Sequence, residues 1–458
     1  MTGNDDPCVA LAAQLIAAID ELPDGPFWVN DLLTGRYPFP VSLDVGENRT
    51  VAITPQIDAM FPGFAQALAD SFFESSKPRF RNTEWTRMVK GEFGQVFGQQ
   101  CRAGVTEDRP EAAVEAVRAR LEERISQIQE REYAFGCHLF GDRDGASFGS
   151  FSIGPVDFSP RRQWLDRRRR NGSVSQVTAS RLERAWNGGN LRKRKPSRDQ
   201  ILESGVTETV SDCEWVCSVS VGPAGEDAGL RKALIGMRLA VATIALAWER
   251  PSWVVDEVLI VFDRNPHLQQ HMVFYPQGGF RSGSRRAGTR RGLSWVEPDD
   301  WQRLLAGRRN VFDCAGEAIC YVTGMGGPTK RPKMMSTVFQ ALHWLHEGCR
   351  EDDDAMAIVK FCSSMDALAC GGAQCGIKAL GRARFTIRDE AGFDNLVKEI
   401  YGDGRSATVH GRNEELTHDW SGKRHDAERL ARELLVSCMI WAEQHRDCDD
   451  PRALSQCE

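Results

Sequence analysis

Hydrophobic residues in the last third of the chain recur at the three- and four-residue spacing that is typical of amphipathic helices. The spacing predicts four helices, each with one apolar stripe. Because stripes of this kind bury one another, the sequence predicts a helical bundle. The stripes consist of Val338, Leu342 and Leu345; of Ile358, Cys362, Met365 and Ala369; of Phe393, Leu396, Val397 and Ile400; and of Leu430, Leu434, Cys438 and Trp441.

The earlier two thirds of the chain combine helical and extended patterns. Residues 56–132 are mostly helical in pattern, and residues 229–248 have the length and apolar content of a buried helix. A hairpin is predicted from residue 133 onward, with further strands over residues 214–221, 254–262 and 318–322. The sequence therefore predicts an α+β multi-domain protein: a mainly helical region over residues 1–140, a mixed α/β sensor or regulatory region over residues 141–330, and the bundle over residues 335–458.

Composition narrows the classes of protein that this chain can belong to. Its 458 residues are 41% hydrophobic and 27% charged, which is typical of a folded globular protein. The net charge of −6 argues against a protein that coats nucleic acid along its whole surface. The 14 cysteines follow no regular spacing, and the chain has neither an export signal nor an apolar run of membrane-spanning length. We expect a cytoplasmic protein without disulfides and without a membrane partner.

The segment YGDGRSATVHG, residues 401–411, carries the candidate chemistry. It places Arg405 five residues before His410, between the third and fourth predicted helices of the bundle. RNA contains its own nucleophile, the 2′-hydroxyl, so a protein that cleaves RNA needs a group to move protons and a cation to stabilise the phosphate. Histidine has an unperturbed pKa of about 6.5 and suits the first role, and the planar guanidinium of arginine suits the second. This chemistry requires no metal ion and no cofactor.

This segment, together with ALHWLHEG and VKFCSSMDAL in the preceding helices, resembles the ApeA-like branch of HEPN domains. The resemblance covers residues 336–446. It implies a homodimer in which two copies of an Arg-x4-His motif build one metal-independent endoribonuclease cleft. It also implies that Arg405 binds phosphate, that His410 is the catalytic histidine and that Asp366 supports the arginine. Ser406 occupies the polar position of the motif, where many active members have Asn, Asp or His.

Three basic runs in the front part of the chain are candidate contacts for an RNA backbone. They cover residues 161–170, 191–198 and 281–291, and Trp164 in the first run is a candidate stacking surface. A solvated surface balanced by acidic residues is the alternative reading of each run. The residues predicted to bind RNA are Arg285, Arg286, Arg290 and Arg291 in the third run, and Arg412 directly after the motif.

Other motifs in the sequence are weaker. Residues 145–149 match the G-x-S-x-G pattern of serine hydrolases, but an extended segment follows the serine where that motif requires a helix. His343, His346 and Cys349 recur at every third position and lack a fourth zinc ligand. The stretch GMGGPTK, residues 324–330, lacks the spacing of a phosphate-binding loop and reads as a linker.

The function expected from the sequence is therefore that of a ribonuclease effector. The bundle would cut RNA, and the front region would sense a phage or cellular trigger or restrain the nuclease, as in bacterial defence and toxin systems. The alternative is a non-catalytic bundle that dimerises, with a front region that binds a polyanion or a protein.

Overall fold

A computed structural model of the chain describes residues 6–22, 41–104, 109–141, 147–210, 213–263, 267–274, 280–287, 292–411 and 419–456. Most of the described residues are helical, and the strands that lie before residue 290 form small antiparallel sheets. The predicted α+β composition is confirmed. The chain divides into two compact units, one formed by residues 1–131 and 222–231 and the other by residues 132–221 and 232–458. The predicted division at residues 140 and 330 stays a prediction.

The first unit is built around long helices with an aromatic core. Phe93 meets the rings of Phe61 and Phe64 edge-on, with centroids 5.5 and 5.6 Å apart. A two-stranded antiparallel sheet packs on the helix that contains Phe93 and Gly94. The packing is close, since a Cβ at Gly94 would lie 2.3 Å from the carbonyl oxygen of Asp44. The elements are α1 (Pro7–Asp20), β1 (Val41–Gly46), β2 (Arg49–Ile53), α2 (Pro55–Asp58), α3 (Phe61–Phe72), the 3-10 helix Glu74–Arg79, α4 (Asn82–Ala103) and α5 (Arg109–Ser126).

The second unit begins with a five-stranded sheet in the order β4-β5-β6-β3-β7. Antiparallel pairing joins β4 to β5, β5 to β6 and β3 to β7. A separate antiparallel hairpin is formed by β8 and β9. The strands are β3 (Arg131–His138), β4 (Phe151–Ile153), β5 (Val156–Pro160), β6 (Trp215–Val221), β7 (Leu259–Ile260), β8 (His267–Phe274) and β9 (Phe280–Ala287).

Six helices surround these strands: α6 (Arg161–Arg170), α7 (Gln176–Trp186), α8 (Arg198–Val210), α9 (Glu226–Ala245), α10 (Pro251–Glu257) and α11 (Pro298–Gly307). An aromatic cluster forms the core beneath the sheet. Trp301 is fully buried, and its ring lies 5.1 Å from that of Phe140 and 4.8 Å from that of Phe151. Aromatic pairs at these distances add to the stabilisation that burial alone provides.

The four helices predicted for the bundle are all present. They correspond to α13 (Pro332–Cys349), α14 (Asp354–Leu368), α16 (Glu390–Lys398) and α18 (Ser421–Gln444), and α13, α14 and α18 pack on one another. The core of the bundle contains Val338, Leu342, Phe361 and Leu434, each with a fully buried side chain. The remaining elements are α12 (Arg309–Thr323), α15 (Ala373–Arg384), the π-helix Glu399–Ser406, α17 (Ala407–Val409) and the 3-10 helix Pro451–Ser455.

Two predicted strands were wrong. Residues 318–322 lie in α12 and not in a strand, because Val311, Phe312 and Ala315 continue the apolar face of the same helix. Residues 254–262 form a strand only at 259–260, because Pro251 begins a short helix that runs to Glu257. A short apolar run is compatible with a strand or with a helix, and in both segments a helix extends over residues that had been predicted to form a strand.

An ion-pair network ties the bundle to the rest of the second unit. Asp263 accepts hydrogen bonds from Arg238 on α9 and from Arg350 at the end of α13. The Asp263 carboxylate is nine-tenths buried, and its two guanidinium partners compensate for the loss of hydration. Among the described residues, no helix is long and apolar enough to cross a membrane.

Candidate functional site

The Arg-x4-His segment begins inside a π-helical turn that packs on α14. Ala407, directly after this turn, donates its backbone N–H to the carbonyl oxygens of Gly402 and Gly404. Gly404 permits close packing, because a Cβ at this position would lie 3.0 Å from Cγ2 of Ile358. π-Helical turns are rare and frequently occur at functional sites. The turn brings the motif arginine against the middle of α14.

Arg405, Tyr401 and Asp366 form a chain of contacts at this point. The guanidinium carbon of Arg405 lies 4.8 Å from the centroid of the Tyr401 ring. The Tyr401 hydroxyl donates a hydrogen bond to Oδ2 of Asp366 at 3.0 Å. Tyr401 therefore connects the motif arginine to the acidic residue on α14, and the aromatic face holds the cation through its quadrupole.

Burial governs the electrostatics of this cluster. It raises the pKa of Asp366 above its ordinary value, although the Tyr401 hydrogen bond and the positive charge of Arg405 act in the opposite direction. Burial, the Asp366 charge and the Asp366 hydrogen bond together raise the pKa of Tyr401 to about 12. Tyr401 is therefore a neutral hydrogen-bond donor at physiological pH, and it cannot serve as a general base there.

Two polar atoms of the cluster are buried but have no hydrogen-bond partner within the described part of the chain. They are Nε of Arg405 and Oδ1 of Asp366. A buried polar group without a partner costs free energy, so such groups concentrate where a ligand or a reaction requires them. Arg405 as a whole is half-buried, and its guanidinium carries further N–H donors besides this buried one.

His410 and Ser406 are not part of the Arg405–Tyr401–Asp366 chain of contacts in the described structure. His410 directly follows α17, and its backbone N–H donates to the carbonyl oxygen of Ser406 at 3.0 Å. The His410 side chain is exposed and that of Ser406 is half-buried. No hydrogen bond or ion pair joins Arg405 to His410 in the described structure. One copy of the chain thus assembles Arg405 with Asp366 and leaves the histidine on the surface.

The residues predicted to bind RNA lie mostly beyond what the structure describes. Arg285 and Arg286 belong to β9, where they pair with Gln269 and Leu268 of β8. Arg290, Arg291 and Arg412 fall outside the described residues. For none of these five does the structure provide a side-chain contact, so their role stays a prediction.

Several cations of the first two basic runs form ion pairs with acidic neighbours. Arg167 forms an ion pair with Asp157, and Arg168 forms one with Glu132. Arg194, in the second run, pairs with Asp199 and Glu203 in the same way. Trp164 is buried beneath Arg168, so it is not the stacking surface that we predicted. For these two runs, a solvated surface balanced by acidic residues is a better interpretation than a contact with RNA.

The weaker motifs do not form sites. Ser147 is followed by a turn and then by β4, which is incompatible with the helix that a serine nucleophile of this type requires. His346 is buried, and its Nδ1 lies 3.2 Å from Oε1 of Glu347. Within the described ranges, no group of three or more His, Cys, Asp or Glu side chains is placed to hold a metal ion.

No protein-family model matches this chain, and no curated protein or solved structure is significantly similar to it. The assignment of the site therefore depends on the geometry of this chain alone. The sequence predicted Arg405, His410, Ser406 and Asp366 as site residues but indicated no chemical role for Tyr401. The sequence feature that could have indicated a role for Tyr401 is its position four residues before the motif arginine, which places the two side chains on the same side of a helix.

Replacing Tyr401 tests whether the ring positions Arg405. Tyr401→Leu removes the ring, and loss of a cation–π contact of about 0.5–2 kcal/mol should lower kcat/KM for RNA cleavage about 2- to 30-fold. Tyr401→Phe keeps the ring and loses only the hydroxyl, so it should retain more activity than Tyr401→Leu. Equal, wild-type rates for both variants would mean that Arg405 keeps its position without Tyr401.

Asp366 should make stability depend on pH. Because its pKa is raised in the folded state, its contribution is most favourable below about pH 4 and is lost as pH rises through the raised pKa. Asp366→Asn keeps an oxygen for the Tyr401 hydroxyl and removes the charge. We expect its melting temperature, relative to the wild type, to increase from pH 4 to pH 7. Asp403→Asn, at an exposed position of the same turn, is the control, and a constant difference across this range would contradict the assignment.

Proposed function

We propose that residues 335–458 form an ApeA-like HEPN domain and that this domain is a metal-independent endoribonuclease. The observation that carries the proposal is the placement of the half-buried Arg405 over the Tyr401 ring, beside Asp366. Such a cation can bind the phosphate of an RNA backbone and stabilise the negative charge that develops in the transition state. His410, five residues later, is exposed and accessible to a substrate.

The chemistry requires two proton transfers, one from the oxygen that attacks the phosphorus and one to the oxygen that leaves it. His410 accepts the proton of the 2′-hydroxyl, and O2′ attacks the adjacent phosphorus. The bond from phosphorus to O5′ breaks, a protonated histidine supplies the proton that the leaving O5′ requires, and the products are a 2′,3′-cyclic phosphate and a 5′-hydroxyl. Arg405 stabilises the phosphoryl oxygens throughout.

A homodimer would complete this acid–base pair. One chain supplies a single motif histidine, whereas two chains related by a twofold axis supply one histidine to accept a proton and another to donate one. Val409, next to His410, has 52% of its surface exposed, and an apolar side chain at this position is a candidate contact between the two copies. The working account is a cytoplasmic effector in bacterial defence or a toxin system, whose front region senses a trigger or restrains the nuclease.

His410 is exposed and has no described hydrogen bond or ion pair to Arg405, which favours a second candidate function, in which the bundle dimerises without catalysis. Incubation of purified protein with RNA in the presence of EDTA separates the two. We expect cleavage that leaves cyclic-phosphate ends. If the RNA is retarded on a gel but stays intact at all protein concentrations, the binding function is correct.

The third basic run should contribute to RNA affinity outside the cleft. Replacing Arg285, Arg286, Arg290 and Arg291 with Ser should weaken RNA binding and flatten its dependence on salt, because each lost phosphate contact reduces the slope by about 0.7 for a single strand. The slope is measured by anisotropy with a labelled RNA between 50 and 200 mM salt, about the range in which such contacts are lost. An unchanged slope would identify the run as ordinary surface.

A further inference from the structure

Three tryptophans surround a cavity of about 490 Å³ in the second unit, on residues that the ribonuclease site does not use. Trp253 on α10 and Trp295 after β9 expose 62% and 50% of their surface. Large aromatic side chains gathered in a concave surface and left partly exposed commonly mark a binding site. The cavity, called here the tryptophan pocket, is lined by Trp248, Glu249, Arg250, Trp253, Val254 and Trp295.

The walls of the pocket are fixed by the folded core. The Trp248 ring stacks on the fully buried Trp301, with an interplanar angle of 6° and centroids 6.5 Å apart. Val254, on the inner side of α10, is itself buried. A ligand that enters would therefore meet aromatic surface that is already ordered, which reduces the entropic cost of binding.

Helix α18 holds the pocket segment at both of its ends. Arg432 donates from Nε to the carbonyl oxygen of Leu246 at 3.1 Å, and Glu428, one turn earlier, accepts the backbone N–H of Ser252 at 2.6 Å. Glu428 is almost completely buried, so this carboxylate is committed to anchoring the start of α10. Helix α18 thus presents the short segment that contains Trp248 and Arg250, and it is also the helix that follows the Arg-x4-His segment.

The charges around the pocket select the class of ligand. The guanidinium carbon of Arg250 lies 5.0 Å from the centroid of the Trp253 ring, so this aromatic face already carries a cation. Glu249, the other charged residue of the lining, interacts with the positive charge of Arg432 on α18, so a second cation in the pocket, such as a quaternary ammonium group, would be repelled by Arg250. A flat aromatic ligand that carries a negative charge suits the pocket, because its ring can stack on the indole rings and its charge can pair with Arg250.

We propose that the tryptophan pocket binds an unpaired nucleobase, which stacks on the indole rings while its phosphate pairs with Arg250. Proteins hold single-stranded nucleic acid by this combination of aromatic stacking and arginine contacts. The base belongs either to an RNA strand or to a free nucleotide. The pocket goes beyond the proposed ribonuclease function, since it involves neither Arg405 nor His410.

Binding to the full-length protein tests this inference without reference to cleavage. The probes are a fluorescein-labelled single-stranded oligodeoxyadenylate, which has no 2′-hydroxyl to attack its phosphates, and AMP, measured by anisotropy and calorimetry respectively. Trp253→Ala and Trp295→Ala should each weaken binding ~5- to 100-fold, the range expected for the loss of one stacked base. Trp253→Phe should restore most of the affinity, because it returns an aromatic face.

Trp344→Ala is the matched control, since Trp344 is a partly exposed tryptophan outside the pocket. If the two pocket alanine variants weaken binding of the oligonucleotide alone, the ligand is a strand of nucleic acid. If they weaken binding of AMP as well, the ligand is a free nucleotide. Wild-type affinity for both probes in both alanine variants, or no binding by the wild type, would overturn the proposal. Tight binding of tetramethylammonium to the wild type would overturn it too, because it would identify a cation site.

Discussion

Replacement of His410 with Ala is expected to slow RNA cleavage by ~10²–10⁴-fold, the range that a positioned proton-transfer group typically contributes. In the proposed mechanism the histidine accepts the proton of the 2′-hydroxyl, and alanine has no group that can do so. The His410 side chain is exposed, and its backbone N–H donates to the carbonyl oxygens of Ser406 and Thr408, which alanine retains. The melting temperature should therefore stay close to that of the wild type.

An exposed residue of the same segment supplies the control for this variant. Asp403→Ala removes an exposed side chain that has no role in the proposed reaction, and it should leave the rate of bond cleavage in a preformed complex unchanged. The measurement is a single-turnover rate at saturating protein, which separates chemistry from RNA binding. Folded His410→Ala protein that cleaves RNA at the wild-type rate would exclude the histidine from catalysis.

Replacement of Arg405 with Lys should lower kcat/KM by ~10²-fold or more, which is the loss observed when one preorganised donor to a transition-state oxyanion is removed. Lysine keeps the positive charge and loses the planar fork that grips two phosphate oxygens. It also loses the flat guanidinium that rests on the Tyr401 ring. Tyr401 and Asp366 would remain in place, so the structural effect should be confined to this cluster.

Arg384→Lys is the matched control, because Arg384 also lies over an aromatic ring of the bundle, 4.9 Å from the centroid of Trp441. A loss of activity in Arg405→Lys alone would assign a chemical role to the motif arginine. Similar losses in both variants would instead indicate a general destabilisation of the bundle, and wild-type activity in Arg405→Lys would make the arginine structural.

The apolar stripes of the bundle were predictable because they follow a local periodicity. Leu342 and Leu434 are buried as their spacing predicts. The helix α15, residues 373–384, was not predicted, because two glycines inside it, Gly376 and Gly381, and Gly372 directly before it weaken any helical pattern. Packing on helix α16 requires one of these glycines, since a Cβ at Gly381 would lie 2.2 Å from the Phe393 ring.

The site was predictable only in part. Arg405 and His410 stand five residues apart in a recognisable segment, but Arg405 lies half-buried in the π-helical turn whereas His410 follows α17 and is exposed, and their spacing does not determine this difference. The hydrogen bond from Tyr401 to Asp366 joins residues 35 positions apart. No local pattern reports such a contact, since tertiary packing alone brings α14 and the π-helical turn together.

Cleavage of one RNA oligonucleotide and of its counterpart with a single 2′-deoxy sugar at the principal cleavage position, both in EDTA, tests the central claim most directly. The account predicts that the all-RNA strand is cut to a 2′,3′-cyclic phosphate and a 5′-hydroxyl, because its own 2′-oxygen attacks the phosphorus. The substituted strand should stay intact at that position. Equal cleavage of the two strands, or cleavage that occurs only when a divalent metal ion is added, would contradict the account.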